Sequence, residues 1–157
     1  VYSCFLLEVD MEQIQRVSRT DLARHTRSVI NSVMRGHAAM IESHGEPEVA
    51  VIDIVDYRIL RAVMRYHAQQ PVIDSTRGLD DMVVAASTDP QRKYNIILAH
   101  YLAGAISLSR VAELLGVSWV DVRTRFLRLD VPLRLGPVGV EDALNEVETA
   151  LRWGSAP

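Results

Sequence analysis

Apolar and polar residues change their period several times along this chain, and each change marks an element. Gln13 to Val17 alternates loosely and predicts a short strand. Ser18 and Asp21, three apart, make a capping-box opening for a helix. Leu22, Thr26, Val29, Ile30, Val33 and Met34 then recur at helical spacing, while Arg24, Arg27, Asn31 and Arg35 form a polar, cationic stripe on another face. Gly36 suits the C-terminal end. Ala39 to Ser43 and Glu48 to Ile54 read as two strands joined through His44, Gly45, Glu46 and Pro47, a hairpin in which the glycine supplies the positive φ. Asp53 and Asp56 cap a second helix that carries Ile59, Leu60, Val63, Met64 and His67 on one side. It runs to about Gln69 and is stopped by Pro71.

From Pro71 to Pro90 the long periodicity is lost, and Gly78, Asp80, Asp81 and the turn-like Ser87 to Pro90 mark a linker, with room for a short helix around Leu79 to Ala86. Beyond it the pattern is helical throughout. The predicted helices are Gln91 to Ala103, ended by Gly104; Leu108 to Leu115, ended by Gly116; Trp119 to Leu129, ended before Pro132; and Val140 to Arg152. In LSRVAELLGVSWVDVRTRFLRL the small Ala112, the turn at Gly116 and the Ser118/Asp121 cap spell a helix-turn-helix. Trp119, Val122, Phe126 and Leu129 form its second helix's buried face, which leaves Arg123, Arg125 and Arg128 outward. The fold class expected is α+β: a β-α-β-β-α unit over residues 11–70, a linker over 71–90, and an all-α unit over 91–157.

Composition narrows the function classes. With 157 residues and 48% hydrophobic content the chain has material for one core or two small ones. The lone Cys4 excludes an intramolecular disulfide and a thiolate metal cage, and points to a reducing, cytoplasmic setting. The apolar run Val1 to Val9 is too short for a membrane span and lacks the marks of an export signal; residues 1–10 read as an extension ahead of Met11. Net charge is −3, but unevenly spread. Arginines crowd the first helix and the helix-turn-helix, and Glu141, Asp142, Glu146 and Glu148 make the tail acidic. Two basic faces and an acidic end suit two different partners.

The stretch VSRTDLARHTRSVINSVMRG, followed by AAMIESHGEPEVAVIDIVDYRIL, resembles the Phd/YefM family of bacterial antitoxins over about Met11 to Gln70. The ordered set carries the resemblance: Val17, Ser18 and Thr20 entering the helix, Gly36 closing it, Ile41, His44 and Gly45 in the hairpin, Val49 to Ile52 in the strand, and Asp56 with Tyr57 opening the last helix. It implies a dimer, or a higher oligomer, that lays the start of its first helix on operator DNA. The DNA-binding residues implied are Arg16, Arg19, Thr20, Arg24 and Arg27. Ser43 departs from the basic residue common at that hairpin position, and His44 is the substitute. A helix N-terminus with arginines beside it suits phosphate in any case. A cationic helix face can equally be a solvated one.

Lys93 to Leu151 is similar to a small bacterial helix-turn-helix family commonly paired with PIN-domain ribonucleases. This implies an antitoxin-like role, with Ser118, Arg123, Arg125 and Arg128 as a possible second DNA surface. The tail residues Glu141, Asp142, Leu144, Val147, Glu148, Leu151 and Trp153 are candidates for holding the partner, although the apolar side of the tail can instead close the second core.

Catalysis is not expected. Glu46 and Glu48 border a solvated hairpin, Asp53 and Asp56 do capping duty, and the five histidines lack a metalloenzyme spacing. No cofactor, metal or membrane partner is expected. The two resemblances together imply a type II antitoxin that also represses its own operon and neutralises a protein toxin, with a PIN-domain ribonuclease as the candidate. The competing expectation is a helical adaptor that binds protein but no DNA.

Overall fold

The structure is a computed structural model and describes residues 14–134 together with Leu144 and Val147. It is a mixed α+β fold: among the described residues there are three strands and six helices. The chain divides into two compact units, residues 1–57 and 58–157.

The first unit begins with β1 (Ile14–Ser18), followed by α1 (Arg19–Met34), β2 (Ala38–Ser43) and β3 (Glu46–Val51). The strands lie in the order β1-β2-β3; β1 runs parallel to β2, and β3 antiparallel to it. Pairing of Val17 with Ile41, and of Ile41 with Val49, puts these residues on one face of the sheet. Val29 and Val33 of α1 join Val17, Ala39 and Ile41 in the core, with Leu22 and Val51 packed against them. The buried stripe of α1 is thus narrower than the sequence suggests. Ile30 and Met34 are 42% and 69% exposed, one residue off the line of Val29 and Val33.

Two local features of this unit were not expected. Backbone angles at His25 (φ −125°, ψ 29°) leave the helical region and kink α1. The next residue, Thr26, donates its hydroxyl to the Leu22 carbonyl, a back-bond that bends helices. The hairpin is also tighter than the four residues 44–47. His44 and Gly45 both take positive φ, 52° and 82°, as a two-residue turn with the twist of its strands requires. Glu46 and Pro47 consequently lie in β3, which ends at Val51 rather than Ile54. Register shifts between Ile41 and Glu42: Ile41 pairs with Val49 but Glu42 with Pro47, so Glu48 is the extra residue of a β-bulge.

The helix α2 (Ile54–Gln69) opens at Asp53, whose carboxylate accepts from the Val55 and Asp56 amides. The division between the units falls inside this helix, after Tyr57, where the sequence suggests 71–90. The contacts show why. Gln91 donates to the Arg58 carbonyl at 3.1 Å, and the Arg58 guanidinium lies 6.0 Å from the centre of the Tyr94 ring. The stretch read as a linker belongs to the second unit as well. It contains α3 (Asp81–Ala85) and buries Leu79 and Val84. Arg110 pairs with both Asp81 and Glu113. Burial opposes the charge on Arg110, but the two carboxylates outweigh it and raise its pKa.

The helical unit continues with α4 (Pro90–Leu102), α5 (Leu108–Leu115) and α6 (Trp119–Arg128). Asp89, Ser107 and Ser118 cap their starts, and Gly116 at φ 69° ends α5 in the left-handed conformation. Tyr101 and Phe126, both fully buried, meet edge to face at 5.2 Å. The Tyr101 hydroxyl donates to the Pro132 carbonyl at 2.8 Å and accepts the Arg134 amide at 2.9 Å, strapping the chain after α6 onto α4. The predicted helix Val140 to Arg152 and the extension over residues 1–10 lie outside the described residues.

Burial pushes the Tyr101 hydroxyl above its ordinary 10.0, although Arg134 pulls it the other way. A raised folded value means stability that is present below pH 10 and lost as pH rises through it. Tyr101→Phe should cost about 1 to 2 kcal/mol near neutral pH, through two lost hydrogen bonds. It should also flatten the alkaline loss; urea unfolding at neutral and at high pH measures both.

Candidate functional site

The opening of α1 is built by Ser18. In extended backbone at the N-cap, its hydroxyl oxygen accepts the Asp21 amide at 3.0 Å and donates to the Asp21 carboxylate at 2.7 Å. Arg19, Thr20 and Asp21 fill the first turn, and Arg19 and Thr20 are exposed. A cation in the first turn opposes the helix dipole. Here the sheet supplies the compensating charge, since Glu48 accepts from Arg19 Nε at 2.9 Å and also contacts Nη2.

Arg16 on β1 has a similar partner. Its Nη1 lies 3.2 Å from Glu42 Oε1, an atom that is out of solvent and receives no aligned hydrogen bond. The sheet places this pair. Arg16 is opposite Met40, two residues before Glu42, so all three lie on one face. Both arginines remain about two-thirds exposed, and the Arg19–Glu48 pair, open to water on both sides, contributes at most about 1 kcal/mol.

Arg24 and Arg27 differ. Both are exposed on α1, and among the described residues neither forms an ion pair. Asn31 and Arg35 continue their line at helical spacing, also exposed, with Arg35 Nε donating to the Asn31 carbonyl. His44 sits at the hairpin tip, exposed, with Nδ1 3.1 Å from Ser43 Oγ. The predicted residues Arg16, Arg19, Thr20, Arg24, Arg27 and His44 are therefore all at the surface of the first unit. Arg16 and Arg19 are held by hairpin carboxylates, while Arg24 and Arg27 stand clear of them.

The second surface departs from its expectation. Ser118 caps α6 as foreseen, but Arg125 is engaged with Asp121 at 3.1 Å and its side chain is only 14% exposed. Arg123 lies over the Trp119 ring at 5.9 Å, and Arg128 is half-buried and engaged. The outward side of α6 presents Trp119, Val120 and Leu127 instead, exposed at 42%, 64% and 41%. Trp119 was expected in the buried face, which is built around Val122 and Phe126. Leu144 and Val147 of the tail are exposed; Glu141, Asp142, Glu148, Leu151 and Trp153 lie outside the described residues.

The pairing of Arg16 with Glu42 and of Arg19 with Glu48 escaped the sequence reading. Its signal is the parity of β1 and β2 combined with the bulge, and neither can be read before the strands are paired. The carboxylates considered for metal chemistry do not converge: among the described residues no three His, Cys, Asp or Glu side chains are grouped to hold an ion. An open depression of about 640 Å³ in the second unit runs from Val72 to Asp80 and reaches His100. Its acids are already occupied, Asp74 by Thr76 and Asp80 by the amide of Met82. No helix among the described residues is long and apolar enough to cross a membrane.

No protein-family model, no curated protein and no solved structure matches this chain with significance.

Removing the Ser18 hydroxyl tests how far the opening of α1 depends on its cap. Ser18→Ala should cost about 1 kcal/mol. Thermal unfolding followed by circular dichroism should show the loss, while Thr20→Ala, in the same turn but not at the cap, should leave stability nearly unchanged.

Proposed function

We propose that this chain is the antitoxin of a type II toxin–antitoxin system. Its first unit grips operator DNA as a dimer of the Phd/YefM kind, and its helical unit holds a protein toxin. The observation that carries the reading is the exposed pair Arg24 and Arg27 on α1, which form no ion pair among the described residues, downstream of a capped helix start that also exposes Thr20. Arg35 extends the line of charge. Exposed guanidinium groups on either side of the His25 kink can each take a phosphate of the duplex backbone. The β-α-β-β order of residues 14–51, followed along the chain by α2, supports the resemblance on which the family reading rests. Ile30 and Met34, four residues apart and uncovered in the single chain, offer apolar contact to a second copy.

In this reading Arg24 and Arg27 contact phosphates directly, Thr20 and the first-turn amides approach the backbone, and Arg16, Arg19 and His44 border the contact. Such contacts hold the protein on the duplex without reading its sequence. Repression of the operon and neutralisation of the toxin would then reside on separate units of one chain.

A second reading, a protein adaptor without DNA binding, is favoured by one observation. The outward side of α6 is apolar, and Arg125 is already committed to Asp121. Co-expression with neighbouring reading frames separates the two: a partner that co-purifies with a chain unable to shift DNA supports the adaptor.

The chain should retard a fragment of its own promoter, with affinity falling steeply as salt rises because phosphate neutralisation releases counterions. Arg24→Ala with Arg27→Ala should weaken binding at least about tenfold and lower the slope of log affinity against log salt by about 2. Mobility-shift titrations at several salt concentrations measure both effects, and an unchanged slope would remove Arg24 and Arg27 from the interface.

A further inference from the structure

Glu48 has an unusual position for a surface acid. As the extra residue of the β-bulge it stands outside the regular ladder between β2 and β3, and a bulge of this kind re-aims a side chain. Here it is aimed at the first residue of α1. A single carboxylate oxygen, Oε2, takes both Nε and Nη2 of Arg19. That edge of a guanidinium is one it also offers to phosphate. The carboxylate therefore occupies the edge of Arg19 that a phosphate oxygen would take. The pair is open to water, with Arg19 67% and Glu48 38% exposed, so its exchange costs little. Glu46, two residues earlier on the same strand, is also exposed and forms no ion pair among the described residues.

We infer that Glu48 is a built-in competitor for phosphate: it occupies Arg19 in the free protein and, by its charge, holds the duplex affinity of the α1 opening below what the arginines alone would give. The inference rests on the DNA-binding reading above. When the duplex arrives, Arg19 exchanges one anion for another and gains little, and the displaced carboxylate stays close enough to repel the phosphate. Arg24 and Arg27 carry no such deduction, so they supply the net attraction while Arg19 sets its ceiling.

The test compares Glu48→Gln with Glu46→Gln, which remove equal charge from the same strand, in fluorescence-anisotropy titrations of a promoter duplex at low salt. Glu48→Gln should bind about fivefold tighter, the equivalent of about 1 kcal/mol, and Glu46→Gln less than about twofold tighter. In an Arg19→Ala background the gain from Glu48→Gln should shrink to that of Glu46→Gln, the part due to charge alone. A wild-type chain that binds while Glu48→Gln is no tighter overturns this inference alone, as does a Glu46→Gln gain equal to that of Glu48→Gln. If neither the wild type nor Glu48→Gln binds any duplex, the DNA-binding reading falls and this inference falls with it.

Discussion

Burial of Val29 and Val33 against Val17, Ala39 and Ile41 decides which side of α1 faces water, and the chemistry of the first unit follows from that choice. Each of these valines gains about 1.5 kcal/mol or more by leaving water, whereas the ion pairs at the opening of the helix are exposed and contribute less. The core therefore orients the helix, and the arginines take the positions left to them. Val29 and Val33 set the inner line beyond the kink, so Arg27 and Arg35 fall outward, while Leu22 packs the part that carries the exposed Arg24. Sheet register does the same for β1, where Val17 turns inward and Arg16 is left beside Glu42.

The helical unit obeys the same hierarchy with a different result. Val122 and Phe126 fix the inner side of α6, and the cap at Ser118 fixes where that helix starts. Once these are set, Arg125 faces Asp121 one turn earlier, and the remaining outward positions are held by Val120, Thr124 and Leu127. A helix with three arginines in ten residues thus ends with an outer side that is mostly apolar, interrupted by Thr124. Its charge count alone would misdescribe it.

Much of this was legible in the sequence where a short-range rule applies. Ser18, Asp53 and Ser118 announced helix starts because capping is decided within three residues; Asp89 and Ser107 cap by the same rule, although the sequence marks them only as turn and spacer. Gly116 announced the turn between α5 and α6. Long-range choices were less legible. The two-residue turn at His44 and Gly45, with a bulge at Glu48, is not distinguished from a looser hairpin by local residue preference, and it shows only in the pairing with Ile41 and Glu42. The burial line of α1 was read one residue too wide because Ile30 and Met34 are as apolar as Val29 and Val33; the sheet accepts only one of the two lines. Among the site residues, exposure of Arg24 and Arg27 followed from helical spacing, but the partners of Arg16 and Arg19 come from strands whose register no local pattern specifies.

The kink at His25 gives α1 two parts of unequal security. Residues 26–34 hold Val29 and Val33 in the core, while residues 19–24 are attached through the half-buried Leu22. The first part has little to lose by fraying, and its amides should open to solvent well before those beyond the kink. Any ligand that settles on this first turn must then also pay the entropy of stiffening it, which trades binding strength for adaptability to the contour it meets.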